Sequence, residues 1–337
     1  MTQQLPPPVQ LMQMLFGFAA SRAIGFTAEM GIADLLKDAP KTADELSQQT
    51  KMHPRSLYRV MRACASVGVF TEDSENRFSL TPLAEPLLSD APGSLRAFAT
   101  MMTTDWQFET WAHLPYSVQT GKPAFDKVHG MSSFDYFWSH DKAGKVFNDA
   151  MTSNSAFSSA AVIDAYDFSN ISTLVDIGGG HGLLLASILK KYPQMKGILF
   201  DMPAIAEQAK ELIDSYGVAH RCERMGGDFF KSVAAGGDAC IMKHIIHDWN
   251  DKQCITILKN CRNAMPVGGK VLVVEILIPE GNEPSIGKFL DLQMLLYLTG
   301  CERTEAEYKL LFDKAGFELT RIVPTMSPFS IIEGICK

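Results

Sequence analysis

After residue 170 the chain settles into a rhythm that few folds can satisfy. Short apolar runs rich in Val and Ile (TLVDIG, GILFD, ACIMKHII and KVLVVEILI) alternate with the longer stretches LLLASILKKY, AIAEQAKELIDSYG and DKQCITILKNCRNAM, which carry apolar residues at helical spacing. Strands that alternate with helices predict a parallel sheet wound by right-handed crossovers. The tail FELTRIVPTMSPFSIIEGICK reads as two more strands about a short turn, an antiparallel hairpin at the sheet edge. In an open sheet of this kind ligands lie outside the carboxyl ends of the strands, so the strand ends are where chemistry is expected.

The first strand runs directly into DIGGGHG, Asp176 to Gly182. Glycines at a strand-to-helix turn let the backbone approach a ligand beside the amides of the following helix. Either a dinucleotide or an adenosyl cofactor suits that geometry. A dinucleotide fingerprint starting at Gly178 or Gly180 would want glycine or alanine at 183 or 185, and both are leucine. The observed acid-x-Gly-x-Gly-x-Gly spacing is instead the one common to class I methyltransferases, which favours S-adenosylmethionine over a nicotinamide. Two further acids fit: Asp201 closes the second strand, where a carboxylate can accept both ribose hydroxyls. Asp228 lies in GGDFF, where it can take the adenine amino group while Phe229 packs on the ring. Each could alone be a helix cap or a solvated turn acid.

The fourth strand ends in MKHIIHDWND, which puts His247 where a methyl acceptor would sit. Glu275 follows in VVEILIP and Glu302 in GCERTEAE. A histidine after a strand is usually structural. A second reading makes His244 and His247, with Asp248 or Asp251, metal ligands, but His244 is expected on the strand itself and no third ligand has evident spacing. Asp248 and Asn250 are read as caps of the DKQCITILKN helix.

The N-terminal part is different in kind. Leu11, Leu15, Phe18, Ala19, Ile24, Met30 and Leu35 recur at helical spacing, and an apolar terminal helix of this type can pack against another subunit. Thr42 and Glu45 are spaced as a capping box. HPRSLYRVMRACASVGVF predicts a second helix ending near Gly68, and FTEDSENRFSLT two short strands, which together look like a winged helix. Arg55, Arg59 and Arg62 would suit DNA, but the formal charge is −7, and nucleic-acid interfaces are basic. A winged helix used as a scaffold is therefore favoured over a cofactor-sensing transcriptional regulator. Between residues 95 and 168 aromatics and methionines accumulate, most of them expected in the core and a minority as walls for a flat aromatic ligand.

Hydrophobic residues make up 46% of the 337 and charged residues 20%, enough for a substantial core and for two domains. Seven cysteines with no CxxC pair fit reduced thiols in a cytoplasmic protein. The opening MTQQLPPPVQ lacks the basic flank of a signal peptide, and no run approaches the ~18 apolar residues of a membrane span.

DIGGGHG, FDMP, GGDFF, KHIIHDW, VVEILIP and ERTEAEY, in this order over nearly the whole chain, resemble the caffeate and hydroxyindole O-methyltransferase family and its bacterial small-molecule relatives. The resemblance implies a class I methyltransferase Rossmann-like α/β sheet, mostly parallel, behind an N-terminal helical winged-helix dimerisation domain. Residues 1–100 would form that domain, 101–155 a helical linker contributing to the acceptor pocket, and 156–337 the S-adenosylmethionine-binding domain. It implies His247 as general base flanked by Glu275 and Glu302, with no metal. Asp176, Gly178, Gly180, Asp201, Asp228, Phe229 and Lys243 would form the cofactor site. Met102, Trp106, Phe147, Met151, Met294 and Leu298 would line the acceptor pocket, although the segments Met101 to Trp106 and Met294 to Leu298 diverge too far to carry over substrate identity. The acceptor would be an aromatic hydroxyl, the assembly a homodimer, and neither nucleic acid nor membrane a partner. A nicotinamide oxidoreductase is the remaining alternative.

Overall fold

The computed structural model describes residues 5–337, so the first four residues of the MTQQLPPPVQ stretch lie outside it. By contacts the chain forms two compact units: residues up to 111 with 134–154, and 112–133 with 155–337. The stretch expected as one linker, 101–155, is thus divided, with 112–133 belonging to the second unit.

In the first unit the apolar stretch from Leu11 onward is not one helix. Pro7–Leu15, Gly17–Glu29 and Ile32–Leu35 follow one another, broken at Phe16 and at Met30–Gly31, where Gly31 is left-handed (φ 66°). Pro7–Leu15 buries no residue at all. Strand β1 (Lys41–Thr42) leads into the helix Ala43–Thr50, whose start is fixed by the reciprocal Thr42–Glu45 capping box. The helix Pro54–Ser66 then presents Leu57, Met61 and Cys64 to the core. β2 (Phe70–Glu72) and β3 (Arg77–Leu80) complete an antiparallel sheet in the order β1-β3-β2. Ile32, Leu46, Phe70 and Phe78 close the core of this winged helix.

The second unit is built on seven strands. Five are parallel neighbours: β4 (Thr173–Ile177), β5 (Lys196–Asp201), β6 (Cys222–Gly226), β7 (Ala239–Lys243) and β8 (Lys270–Ile276). β9 (Phe317–Pro324) and β10 (Phe329–Cys336) add the antiparallel edge, giving the order β6-β5-β4-β7-β8-β10-β9. Burial on both faces explains why these strands read as continuous apolar runs. Along β8, Leu272 and Val274 enter one core and Val271 and Val273 the other. Each such fully buried side chain contributes about 1.5–3 kcal/mol relative to exposure. AIAEQAKELIDSYG, expected as one helix, is two, Pro203–Gln208 and Lys210–Ser215, with the break at Ala209. The apolar run ACIMKHII also divides: β7 stops at Lys243, and Ile246–Asp248 form a short 3-10 turn. His244 is therefore past the strand, in the left-handed region (φ 58°). Early termination turns the next residues back across the carboxyl edge of the sheet.

Candidate active site

The glycine turn after β4 has its geometry set by backbone sign and by space. Gly178 and Gly180 have φ of 68° and 57°, which L side chains avoid. A Cβ on Gly178 would also stand 2.4 Å from Cδ1 of Ile245, whereas one on Gly180 would meet nothing within 4 Å. The turn is tied to the end of β5: the Gly180 amide donates to Oδ2 of Asp201 (2.8 Å), whose Oδ1 accepts from Met202 N (2.7 Å). Burial raises the Asp201 carboxyl above its ordinary range.

Asp176 lies beneath the turn, buried, with Oδ2 lacking a hydrogen-bond partner. Burial pushes it to about 7, against the pull of Lys243. Lys243, at the end of β7, is itself pushed down to about 8 by burial, with Asp176 and Glu275 holding it up, and its Nζ donates to Ser155 Oγ (3.0 Å). Asp228 accepts from Phe230 N (3.0 Å) and pairs with Lys231 (3.3 Å). Phe229 packs edge-on to Phe230 and Trp249 and approaches the Gly178 Cβ position to 3.8 Å. All seven residues expected at the cofactor site thus gather on one edge of one unit. An acid at the end of β5, open space over Gly180 and an unpartnered buried carboxylate oxygen suit a nucleoside with a cationic head group.

The contact of Ile245 with Gly178 joins this turn to the segment carrying His247. His247 is 8% exposed as a whole residue. Its Nδ1 lies 2.7 Å from Oε1 of Glu302 and 3.5 Å from Oε2 of Glu275. The two glutamates therefore divide the work. Glu302 holds the ring. Glu275, at zero exposure, turns Oε1 to the backbone amides of Ile245 (3.0 Å), Ile246 (3.0 Å) and His247 (3.4 Å), and so holds the turn. A carboxylate at 2.7 Å requires a proton on Nδ1, which leaves Nε2 as the proton acceptor.

The reading of Asp248 as a helix cap is corrected. The cap of Asp251–Ala264 is Asn250, in a capping box with Gln253, while Asp248 Oδ1 stands 3.4 Å from His247 Nε2. Its carboxyl is raised to about 6 by burial, against the attraction of His247. Burial alone would lower the imidazole, but Glu275, Asp248 and Glu302 overcome it and raise His247 to about 10. Glu275 is in turn pushed to about 7 by burial, partly offset by His247.

The metal reading also changes its ligand set. Ligand atoms of His244, His247 and Glu275 lie within 4.8 Å of one another, while Asp251 pairs with Arg303 at 2.9 Å.

Of the residues expected to line the acceptor pocket, Met102, Trp106, Phe147 and Met151 belong to the first unit and Met294 and Leu298 to the second. Trp106 packs on Phe137 (4.9 Å between ring centroids), which stacks on Phe147 at 4.4 Å. Trp106 and Met294 are each 8% exposed.

Three residues escaped the sequence reading. Gly300 runs its backbone against the His247 turn, so that a Cβ there would be 1.9 Å from His247 O. Asp291 accepts from the amide of Glu302 (2.9 Å). Arg303, fully buried, fans its guanidinium beneath the same turn. The only signal was adjacency: Gly300 and Arg303 flank Glu302 in GCERTE.

Residues 12–90 match the O-methyltransferase dimerisation domain and residues 111–318 the O-methyltransferase domain. The chain is 46% identical over 324 residues to a phenazine O-methyltransferase of Lysobacter antibioticus, covering 96% of this chain and 95% of that protein. It is 37% identical to a mitomycin biosynthesis 6-O-methyltransferase of Streptomyces lavendulae, covering 95% and 92%. Among solved structures, CalO1, a methyltransferase in calicheamicin biosynthesis in its SAH-bound form, matches with a TM-score of 0.91 at 33% identity, covering 99% of this chain and all of that one. These matches set aside the regulator and the oxidoreductase. The chain belongs to the S-adenosylmethionine-dependent O-methyltransferase family.

Proposed function

We propose that His247 removes the proton from an aromatic hydroxyl, held ring-fixed by Glu302, while Glu275 fixes the turn that carries it. The observation that carries this reading is the 2.7 Å Nδ1–Glu302 contact in a buried acidic cradle at the carboxyl edge of the sheet. S-adenosylmethionine, when bound, supplies an electrophilic methyl on sulfur. Asp201 is assigned to the ribose hydroxyls, Asp228 and Phe229 to the adenine, and Asp176, Lys243 and the glycine amides to the remaining polar groups.

The acidic cradle sets the proton chemistry. A phenol ionises near pH 10, as does His247 at about 10, so proton transfer from acceptor to Nε2 is close to thermoneutral. Glu302 then stabilises the imidazolium as it forms, in the manner of the carboxylate of a hydrolase triad. General-base assistance of this type is worth about 10²–10⁴-fold. His247→Asn is expected to lose that factor in kcat while calorimetry still registers S-adenosylmethionine. A variant with near-normal turnover removes His247 from the mechanism.

The acceptor is assigned to hydroxylated fused-ring aromatics, supported by the phenazine-modifying relative. A homodimer is supported by the dimerisation-domain match and by the unburied helix Pro7–Leu15, where Leu11, Met12, Met14 and Leu15 are 58–74% exposed. Light scattering tests it. A cytoplasmic location is supported by seven unbridged cysteines. Among the described residues no helix is long and apolar enough to cross a membrane.

A further inference from the structure

Arg303 is the one cation in the second unit that is almost wholly buried (1% exposed) and plays no part in the chemistry above. Burying a guanidinium is costly unless its donors are met, and here they are. Nη1 donates to the carbonyls of Ile246 (3.1 Å) and Cys301 (3.2 Å), and Nη2 to the carbonyl of Trp249 (2.9 Å). Nε and Nη2 both reach Oδ1 of Asp251 (3.2 and 2.9 Å).

The carbonyls of Ile246 and Trp249 bracket His247 and Asp248. The guanidinium therefore grips the main chain on both sides of the proposed base, while the preceding residue, Glu302, holds its ring. The backbone of Arg303 is anchored in turn, its carbonyl accepting from Ile278 N (3.0 Å) beyond β8. Two consecutive residues thus fix one histidine twice, by side chain and by main chain.

We propose that Arg303 is a positioning residue for methyl transfer: it acts through His247 by setting where the 246–249 main chain stands. The proposal rests on the assignment of His247 as base. Only the planar fork can do this. A lysine in its place keeps the charge but is a single point donor, unable to span the two carbonyls and Asp251 at once.

The test is the pair Arg303→Lys and Asp251→Ala, each alone and combined with His247→Asn, in the full-length chain. Displacing a reacting group by about 1 Å costs about 10²-fold, so Arg303→Lys is expected to lower kcat about 10–100-fold. KM for the acceptor and the Kd for S-adenosylhomocysteine should change less than about threefold. Asp251→Ala removes only the exposed anchor of the clamp, leaves the buried charge satisfied by three carbonyls, and should fold even if the lysine variant does not. A kcat loss of about 2–5-fold is expected for it, smaller than the loss of a bidentate contact.

If Arg303 acts through His247, neither substitution lowers kcat further once His247 is asparagine. Full penalties persisting in that background overturn the proposal. So does an Asp251→Ala enzyme with normal kcat, or an Arg303→Lys enzyme that loses only thermal stability. Failure of the base assignment has its own signature, normal turnover by His247→Asn alone.

Discussion

Glu302→Gln isolates the charge that holds the imidazole. The amide keeps the shape and can still accept from Nδ1, but it loses the anion at 2.7 Å. Both side chains are buried, Glu302 wholly and His247 with 10% of its side chain exposed, so solvent screening is slight and the interaction lies in the range of a charge-assisted hydrogen bond, about 1.5–3 kcal/mol. At about 1.4 kcal/mol per pKa unit, the imidazole falls by about 1–2 units, from about 10 to about 8–9. The sign follows from the role. A base must be unprotonated in the free enzyme, so log(kcat/KM) rises with pH and levels off above the pKa of His247. In Glu302→Gln that limb moves toward neutrality, while kcat on the plateau falls about 10–100-fold because the imidazolium formed in the transition state has lost its counter-charge. Initial rates with methyl-labelled S-adenosylmethionine between pH 6 and 10.5 measure both. Ionisation of the acceptor affects both enzymes alike and cancels in their ratio. An unmoved limb, with kcat reduced or not, would refute the claim that Glu302 sets the basicity of His247.

Three further outcomes test other parts of the structure. Gly300→Ala places a Cβ against main-chain atoms at 1.9, 2.4 and 2.5 Å (His247 O, Asp248 C and Trp249 N). The His247 turn must shift, and steady-state kcat should drop about 10²-fold while calorimetric cofactor affinity changes little. In the glycine turn, Gly180→Ala bears the left-handed backbone penalty, about 1–2 kcal/mol, and puts a methyl into the space assigned to the cofactor, so calorimetry should show S-adenosylhomocysteine affinity lower by about 5–30-fold or more. Gly178→Ala meets the same penalty and collides with Ile245, so weakened binding should come with a lower unfolding midpoint. On β10, next to the edge strand, Glu333 accepts from Thr320 and Arg321, with Tyr166 and Lys270 beside it. Burial would raise its carboxyl, but the hydrogen bonds from Arg321, Tyr166 and Thr320 hold it down at about 2. Its contribution is therefore present above the ordinary carboxylate range and lost as pH falls toward 2. Glu333→Gln should cost about 1.5–3 kcal/mol in urea unfolding at pH 7, and a smaller difference should remain at pH 3.

The sheet was legible because its evidence is local and repeated. Each strand is a short apolar run, each crossover a helical period, and DIGGGHG marks the turn where the left-handed backbone at Gly178, Gly180 and Gly182 favours glycine. One capping box was legible for the same reason, a side chain reaching a backbone amide three residues away: Thr42–Glu45 was expected from its spacing and is present in the structure, whereas the box at Thr304–Glu307 was not foreseen. Helix continuity was less legible. The apolar period runs from Leu11 through Leu35, but Gly31 in a left-handed conformation and the turn at Phe16 divide it, and periodicity is blind to such breaks. The orientation of Asp248 could not be read at all. Whether it caps the next helix or faces His247 depends on where β7 stops, and that is set from another strand, by Glu275 gathering three consecutive amides. Arg303 was hidden for a similar reason. Its partners are main-chain carbonyls, which leave no trace in residue identity.

The proposed division of labour explains why so much unfavourable electrostatics is concentrated in one place. Three carboxylates and one imidazole share a nearly dry volume in which Glu275 is held at about 7 and Asp248 at about 6, so the fold keeps acids where burial opposes their charge. For stability alone, apolar replacements of similar volume would serve as well or better. What the acids supply instead is a base whose proton affinity approaches that of a phenol. The same excess of negative charge favours a cationic group next to the glycine turn, and it resists the neutral, uncharged histidine that proton abstraction requires. Those two demands pull in opposite directions. The raised basicity of His247 comes from Glu275, Asp248 and Glu302 together, against burial, so it is the charge of these acids and not their packing that Glu302→Gln removes in part.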